Sequence, residues 1–300
     1  MTRAGIASGQ RAEGRSRRPR PGRSVVGAAA IRVGSYGLLV SVAVLMLVPF
    51  LWSLTTSLKT SPEASQVPPT ILPRQPTIDA YRTVILQAPF ARWFANSAVV
   101  ALAVVATRCT LDTLAGYAFA RMRFPGRELL FSAVISTLMV SPIVLIIPRF
   151  ILLQQIGLVN TLHALWVPFA SEAFGVFLMR QVFLSFPSEL EDAARLDGAG
   201  RLRMFWSLAV PNAMPAIAAL AIFSFQGSWN RFLDAVIFIS GAHRDQFTLP
   251  LGLAYFRSLY YTDWPVVMAI AVLTTLPLAV VYLFGQRFFV ESAARTGLNG

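Results

Sequence analysis

Six long apolar runs, a scarcity of charge and a one-sided distribution of arginine predict an all-α membrane protein with six transmembrane helices. Of 300 residues, 55% are hydrophobic and 13% charged, and the mean hydropathy is +0.60. Soluble domains carry about 25% charged residues, so a pair of soluble domains is excluded. The net charge of +12 has two physical readings. Nucleic-acid binding needs a basic face on a folded domain, whereas the positive-inside bias of membrane proteins needs only basic residues in the gaps between spans. The arginines lie in a polar stretch at the start and in short gaps between apolar runs, so the lipid bilayer is the expected partner and nucleic acid is not. Cys109 is the only cysteine, which rules out an internal disulfide and a cysteine-bound zinc cluster.

Residues 1–31 hold Arg3, Arg11, Arg15, Arg17, Arg18, Arg20 and Arg23 among Gly, Ser and Ala, the composition of a disordered basic tail. A cleaved signal peptide is not expected, because the next apolar run is too long and no small-residue cleavage site closes it. About 20 apolar residues cross the hydrocarbon core, and runs of that length predict spans at 33–58, 94–120, 129–153, 162–183, 213–239 and 264–289, a membrane domain over 33–290 and a short tail at 291–300. Pro49 falls late in the first run, and Pro142 and Pro148 interrupt the third. The proline-rich connection 59–89 stays outside lipid. Six spans put both termini on one side. That side also receives Arg121, Arg123 and Arg127, the stretch from Arg180 to Arg203, and Arg287 to Arg295, so it is read as the cytoplasm.

The stretch 187–211 is the longest that lipid cannot hold. Ser188 precedes Glu191 by three, the spacing of a capping box. Glu189, Glu191 and Asp192 suit the positive end of a helix dipole. Leu190, Ala193, Ala194 and Asp197 repeat at helical spacing and make one small, smooth face, and Gly198 stands where a left-handed residue ends a helix. The expected helix, 189–197, is about 14 Å long. Residues 201–210 suit an interfacial helix leading back to the bilayer, and Pro211 and Pro215 mark the start of the fifth span. Such a helix is either an ordinary amphipathic loop or a docking helix whose alanines let a partner groove approach closely.

Ionisable groups inside spans are functional candidates. Arg108 and Asp112 lie four apart on the second span, the spacing of an intramembrane ion pair. Glu172 falls midway along the fourth. Gln226, Trp229 and Asn230, with Ser228, form the most polar run of the fifth, and a polar run with an aromatic face suits a sugar; helix packing explains the same residues equally well. No catalytic or metal site is expected. The only histidines, His163 and His243, lie near loops, and Lys59 is the only lysine. Ser–His, Ser–Lys and zinc mechanisms therefore all lack parts. Lys59 follows Leu58, not the glycine of a phosphate-binding loop, so the chain itself carries no nucleotide cofactor. An ion-coupled secondary transporter using Arg108, Asp112 and Glu172 is the alternative class, although no inverted repeat supports it.

The run Asp192-Ala193-Ala194 with Gly198, followed by Leu208 and Pro211, resembles the EAA loop of ABC-importer permeases. Residues 190–199 look like the carbohydrate-uptake branch, in particular the smaller permease of maltose-type importers. Asn96-Ser97, Tyr117 to Arg121, Phe124-Pro125-Gly126, Gly157 to Thr161, Phe177 to Gln181, Ser228 to Leu233, Thr248-Leu249-Pro250 and Gly297 to Gly300 agree with it, so the resemblance covers about residues 33–300. The one departure is Asp192, where the family carries glutamate. The resemblance implies a coupling (EAA) loop between spans four and five, in which Leu190, Glu191, Asp192, Ala193, Ala194, Arg195, Asp197 and Gly198 meet the ATPase. It implies three protein partners: a second, homologous permease, a dimeric cytoplasmic ABC ATPase that holds ATP and Mg, and an extracellular or periplasmic solute-binding protein. It also implies a place in the plasma or inner membrane of a prokaryote.

Overall fold

A computed structural model describes residues 25–87, 89–255 and 263–297, all helix, turn and coil with no strand among them. The helices are α1 (Val25–Ser57), α2 (Ser61–Ala64), α3 (Asp79–Gln87), α4 (Phe90–Arg121), α5 (Arg127–Ser136), α6 (Ile146–Gln155), α7 (Ala173–Leu184), α8 (Ser188–Leu196), α9 (Arg201–Met204), α10 (Val210–Trp229), α11 (Leu233–Phe238), α12 (Leu249–Tyr255) and α13 (Trp264–Gly297). Residues up to Phe50 form a unit of their own, and Leu51 onward a second.

Among the described residues four helices are long and apolar enough to cross a membrane: Gly34–Ser57, Phe90–Arg121, Arg201–Trp229 and Trp264–Gln286. A fifth candidate is the pair Leu162–Phe169 and Ala173–Leu184, bent by 40° at its break. The run at 129–153, expected as one span, is two ten-residue helices, α5 and α6, each about 15 Å long. Pro142 explains the interruption. It has no N–H to donate, and the residue before a proline is pushed out of the helical region; Val140 is already extended. Pro148 is harmless in the first turn of α6, where an N–H would have no partner.

Four other boundaries differ from expectation. Helix α1 begins at Val25, inside the stretch expected to be a disordered tail, of which residues 1–24 lie outside the described residues. Helix α13 continues to Gly297 through most of the expected C-terminal tail. The fifth span begins at Arg201, because α9 runs through a π turn at Phe205–Ala209 into α10. A π turn widens the helix by one residue, which relieves the clash that Pro211 would otherwise cause. The same span stops at Trp229 instead of reaching 239, and α11 resumes after a break.

In the second unit α4 packs against α7 and α10, and α10 against α13. Near one end of α4 the core holds Trp93, Val100, Phe238 and Leu249. There the Trp93 indole donates to the Arg244 carbonyl at 2.8 Å, Asn96 donates to the carbonyls of Asp245 and Phe247, and the Leu249 N–H donates to Ser97 Oγ at 2.8 Å. Near the other end Tyr117, Met179, Phe183, Phe205 and Leu220 form a second cluster. Helices α4 and α7 touch so closely at Gly116 that an added Cβ would lie 2.5 Å from Met179 Cβ and 2.9 Å from the Arg180 backbone nitrogen. Backbone cannot yield there, so Gly116→Val forces the helices apart. We expect a loss of about 1–3 kcal/mol, read as a lower melting temperature of the purified protein.

Candidate functional site

Helix α8 has no buried residue, yet it is held at its C-terminus and through Glu191. At its C-terminus the Gly198 N–H donates to the Arg195 carbonyl at 3.0 Å and the Ala199 N–H to the Ala194 carbonyl at 2.9 Å. Gly198 has φ +77°, a conformation that costs a side-chain-bearing residue dearly. Together these make a Schellman cap, as the position of Gly198 in the sequence predicts. The expected capping box at the other end does not form. Pro187 is the N-cap, Ser188 is the first helical residue, and no side chain caps the helix. Glu191 is engaged elsewhere, in an ion pair with Arg121 at 3.3 Å.

Arg121 ends α4, and its guanidinium joins three elements. Nε donates to the Phe183 carbonyl at 2.9 Å, Nη2 donates to the Phe186 carbonyl, and Glu191 of α8 completes the set. The two carbonyls lie where α7 ends, and the last carbonyls of a helix have no partner within it. The Arg121 and Glu191 side chains are only 14% and 13% exposed. Arg195 stays on the same face, 3.6 Å from Glu191, and also pairs with Asp192 at 3.0 Å. Leu190, Ala193, Leu196 and Asp197 are exposed, Leu196 by 91%, while Ala194 is half-buried. The outward face is therefore Leu190, Ala193, Leu196 and Asp197, and Ala194 turns partly inward.

A second charged cluster sits at the break before α7. Arg108 and Asp112 are not paired with each other; each grips the broken segment instead. Arg108 forms an ion pair with Glu172, and its Nε donates to the Phe169 carbonyl at 2.9 Å. Asp112 accepts from Ser171 Oγ at 2.6 Å and from the Glu172 N–H at 3.2 Å. Asp112 is fully buried, while the Glu172 side chain is 48% exposed. Arg231 lies 3.4 Å and Arg149 4.9 Å from the centre of the Phe169 ring, and both pair with Asp234, at 3.6 and 3.9 Å. The polar run of the fifth span divides. Gln226 and Asn230 are exposed. Trp229 is buried, donates to the Thr274 carbonyl at 2.9 Å and packs on Phe225 and Phe94.

Residues 112–295 match the family described as binding-protein-dependent transport system inner membrane component. The chain belongs to this family. The permease is 33% identical to the inner membrane ABC transporter permease protein YcjP of Escherichia coli, over 90% of this chain and 97% of that one. It is also 33% identical to the arabinooligosaccharides transport system permease protein AraQ of Halalkalibacterium halodurans, over 75% and 80% of the two chains. A crystal structure of a bacterial ABC transporter that imports the acidic polysaccharide alginate contains a chain with the same fold, at TM-score 0.77 and 24% identity, covering 91% of this chain and all of that one. As a member of this family the permease is the non-catalytic membrane component of a binding-protein-dependent importer, and ATP hydrolysis belongs to a separate subunit.

Sequence reasoning gave Glu191 a capping role and, by resemblance, contact with the ATPase, and it used Arg121 as a marker of sidedness and as part of a family motif; neither reading paired the two. The missed signal was the pairing of a basic residue at the end of a long apolar helix with an acid that lacks a lipid-compatible role. The pairing of Arg231 with Asp234 is legible from their spacing of three, whereas Arg149 and Phe169 were missed, because they meet that pair only across chain breaks. Removing the Arg121 fork takes a side-chain donor from two carbonyls and leaves Glu191 with Arg195 alone. Arg121→Gln should raise amide exchange over residues 184–200 about thirtyfold, equivalent to about 2 kcal/mol. Arg121→Lys should restore little, since an ammonium lacks the planar fork.

Proposed function

We propose that this permease is the smaller of two homologous membrane subunits of a sugar importer, and that α8 is its coupling helix. Six spans are assigned, with α5 and α6 together as the third, the bent segment ending in α7 as the fourth, and both termini in the cytoplasm. The gathering of Arg121, Arg123, Arg127, Arg195 and Arg201 beside α8 supports that orientation. The substrate class is supported by the relative named for arabino-oligosaccharide transport. The partners are the second permease, a dimeric ATPase that carries ATP and Mg, and an external solute-binding protein.

The observation that carries the reading is α8 itself, a helix with a C-terminal cap whose Leu190, Ala193 and Leu196 are exposed among the described residues. Apolar side chains on a polar helix outside lipid suit a groove in a partner. When the ATPase dimer closes, α8 moves, and the Arg121–Glu191 link carries that motion to the ends of α4 and α7. The exposed Glu172, Gln226 and Asn230 face the solute path in this reading. Trp229 fixes the end of α10 instead of stacking on solute, because its ring is buried and stacked on Phe225. An ion-coupled mechanism gains nothing from an exposed docking helix.

The test fills the outward face. Ala193→Trp should cut co-purification of the cognate ATPase at least tenfold and abolish solute-stimulated ATP hydrolysis, with the permease still inserted and folded. Unchanged ATPase retention and transport would sink the docking claim. Uptake that stops when the proton or sodium gradient is collapsed, with ATP still present, would favour the ion-coupled class.

A further inference from the structure

Behind α8, on the face opposite its outward residues, lies a cavity of about 580 Å³. That is within the range of small-ligand pockets. Its wall carries five arginines, Arg121, Arg123, Arg127, Arg195 and Arg201, against two carboxylates, Glu191 and Asp192. Most of this charge is already matched. Arg121 and Arg195 hold Glu191 and Asp192, and Arg127 holds Glu128 at 2.8 Å. Arg123 and Arg201 remain. Both are exposed, and neither makes an ion pair or side-chain hydrogen bond among the described residues. The cavity therefore presents two unmatched guanidinium forks, each shaped to take two oxygens of a phosphate.

The surroundings favour a lipid over a soluble anion. Arg123 follows directly on the membrane-length α4. Arg201 opens the membrane-length helix Arg201–Trp229, and Leu202 and Trp206, one turn apart on it, are 73% and 60% exposed. Exposed tryptophan and leucine beside arginine at the end of a span are the signature of the headgroup level of a bilayer. We propose that this cavity binds the phosphate of an acidic phospholipid, with Arg123 and Arg201 on the headgroup and Leu202 and Trp206 against the acyl chains. The assignment depends on the membrane location alone and not on what docks outside α8.

Native mass spectrometry of the full-length permease released from nanodiscs tests it, with phosphatidylglycerol or phosphatidylcholine as the probe lipid. One phosphatidylglycerol should be retained in preference to phosphatidylcholine. Arg123→Gln and Arg201→Gln should each reduce that retention about fivefold. Arg203→Gln is the control, since it removes the same charge two residues away but does not line the cavity, and it should have no effect. Equal retention of phosphatidylcholine, or an equal loss in the Arg203 variant, overturns the proposal by reducing it to diffuse surface charge. Inorganic phosphate at millimolar concentration is the remaining arm. If it displaces phosphatidylglycerol completely, the site is for a soluble anion and the lipid assignment fails. The replaced arginines have no side-chain partner, so the variants should melt with the wild type.

Discussion

The arginine that closes α4 governs the architecture on the side of the protein that carries α8. Arg121 satisfies carbonyls left over at the end of α7 and holds the acid of α8, so one guanidinium ties three helices together. The pair is largely removed from water, which makes loss of either partner costly. Below it the aromatic rings of Tyr117, Phe183 and Phe205 pack in one cluster. Helix α8 is therefore an exposed element on a stiff mount. A surface helix attached only by flexible chain could be moved by a partner without moving anything else. One attached through Arg121 cannot be moved without the ends of two membrane helices.

The same physical rule operates at the break before α7, in the bent segment that is the fifth candidate span. Irregular backbone at membrane depth must be satisfied from within the protein. The broken segment leaves the Phe169 carbonyl and the Glu172 N–H without helical partners, and Arg108 and Asp112 supply them. The intramembrane charges are thus tied to the backbone as much as to each other. Their position explains why a segment with Pro168 in its first half can bend by 40°. It also leaves Glu172 beside a fixed arginine with half of its side chain open.

Much of this was legible in the sequence, because lipid writes simple rules into composition. The long helices at α1, α4 and α13 follow from apolar run length, and the end of α8 follows from Gly198. What the sequence hid were the breaks. Hydropathy is blind to where a run stops being one helix, so Pro142, Ser171 and Asn230 divided segments that looked continuous. Pro211 misled in the opposite direction, since a π turn absorbed it. At the site the residue types were visible but their partners were not. Ser188 and Glu191 have the spacing of a capping box, and nothing local reveals that a better donor waits 70 positions earlier in the chain. Arg108 and Asp112 likewise have the spacing of a pair, and tertiary structure gave each a different partner.

The central claim is that Arg121 and Glu191 act as a single mechanical link between the docking helix and the spans. A double-mutant cycle on solute-stimulated ATP hydrolysis in the reconstituted importer measures this directly. Arg121→Gln and Glu191→Gln should each uncouple hydrolysis from solute, and the double variant should be no worse than Arg121→Gln alone, because the link is already broken. Losses that simply add would mean that the two residues act separately, and the account of α8 as a helix coupled through Arg121 would be wrong.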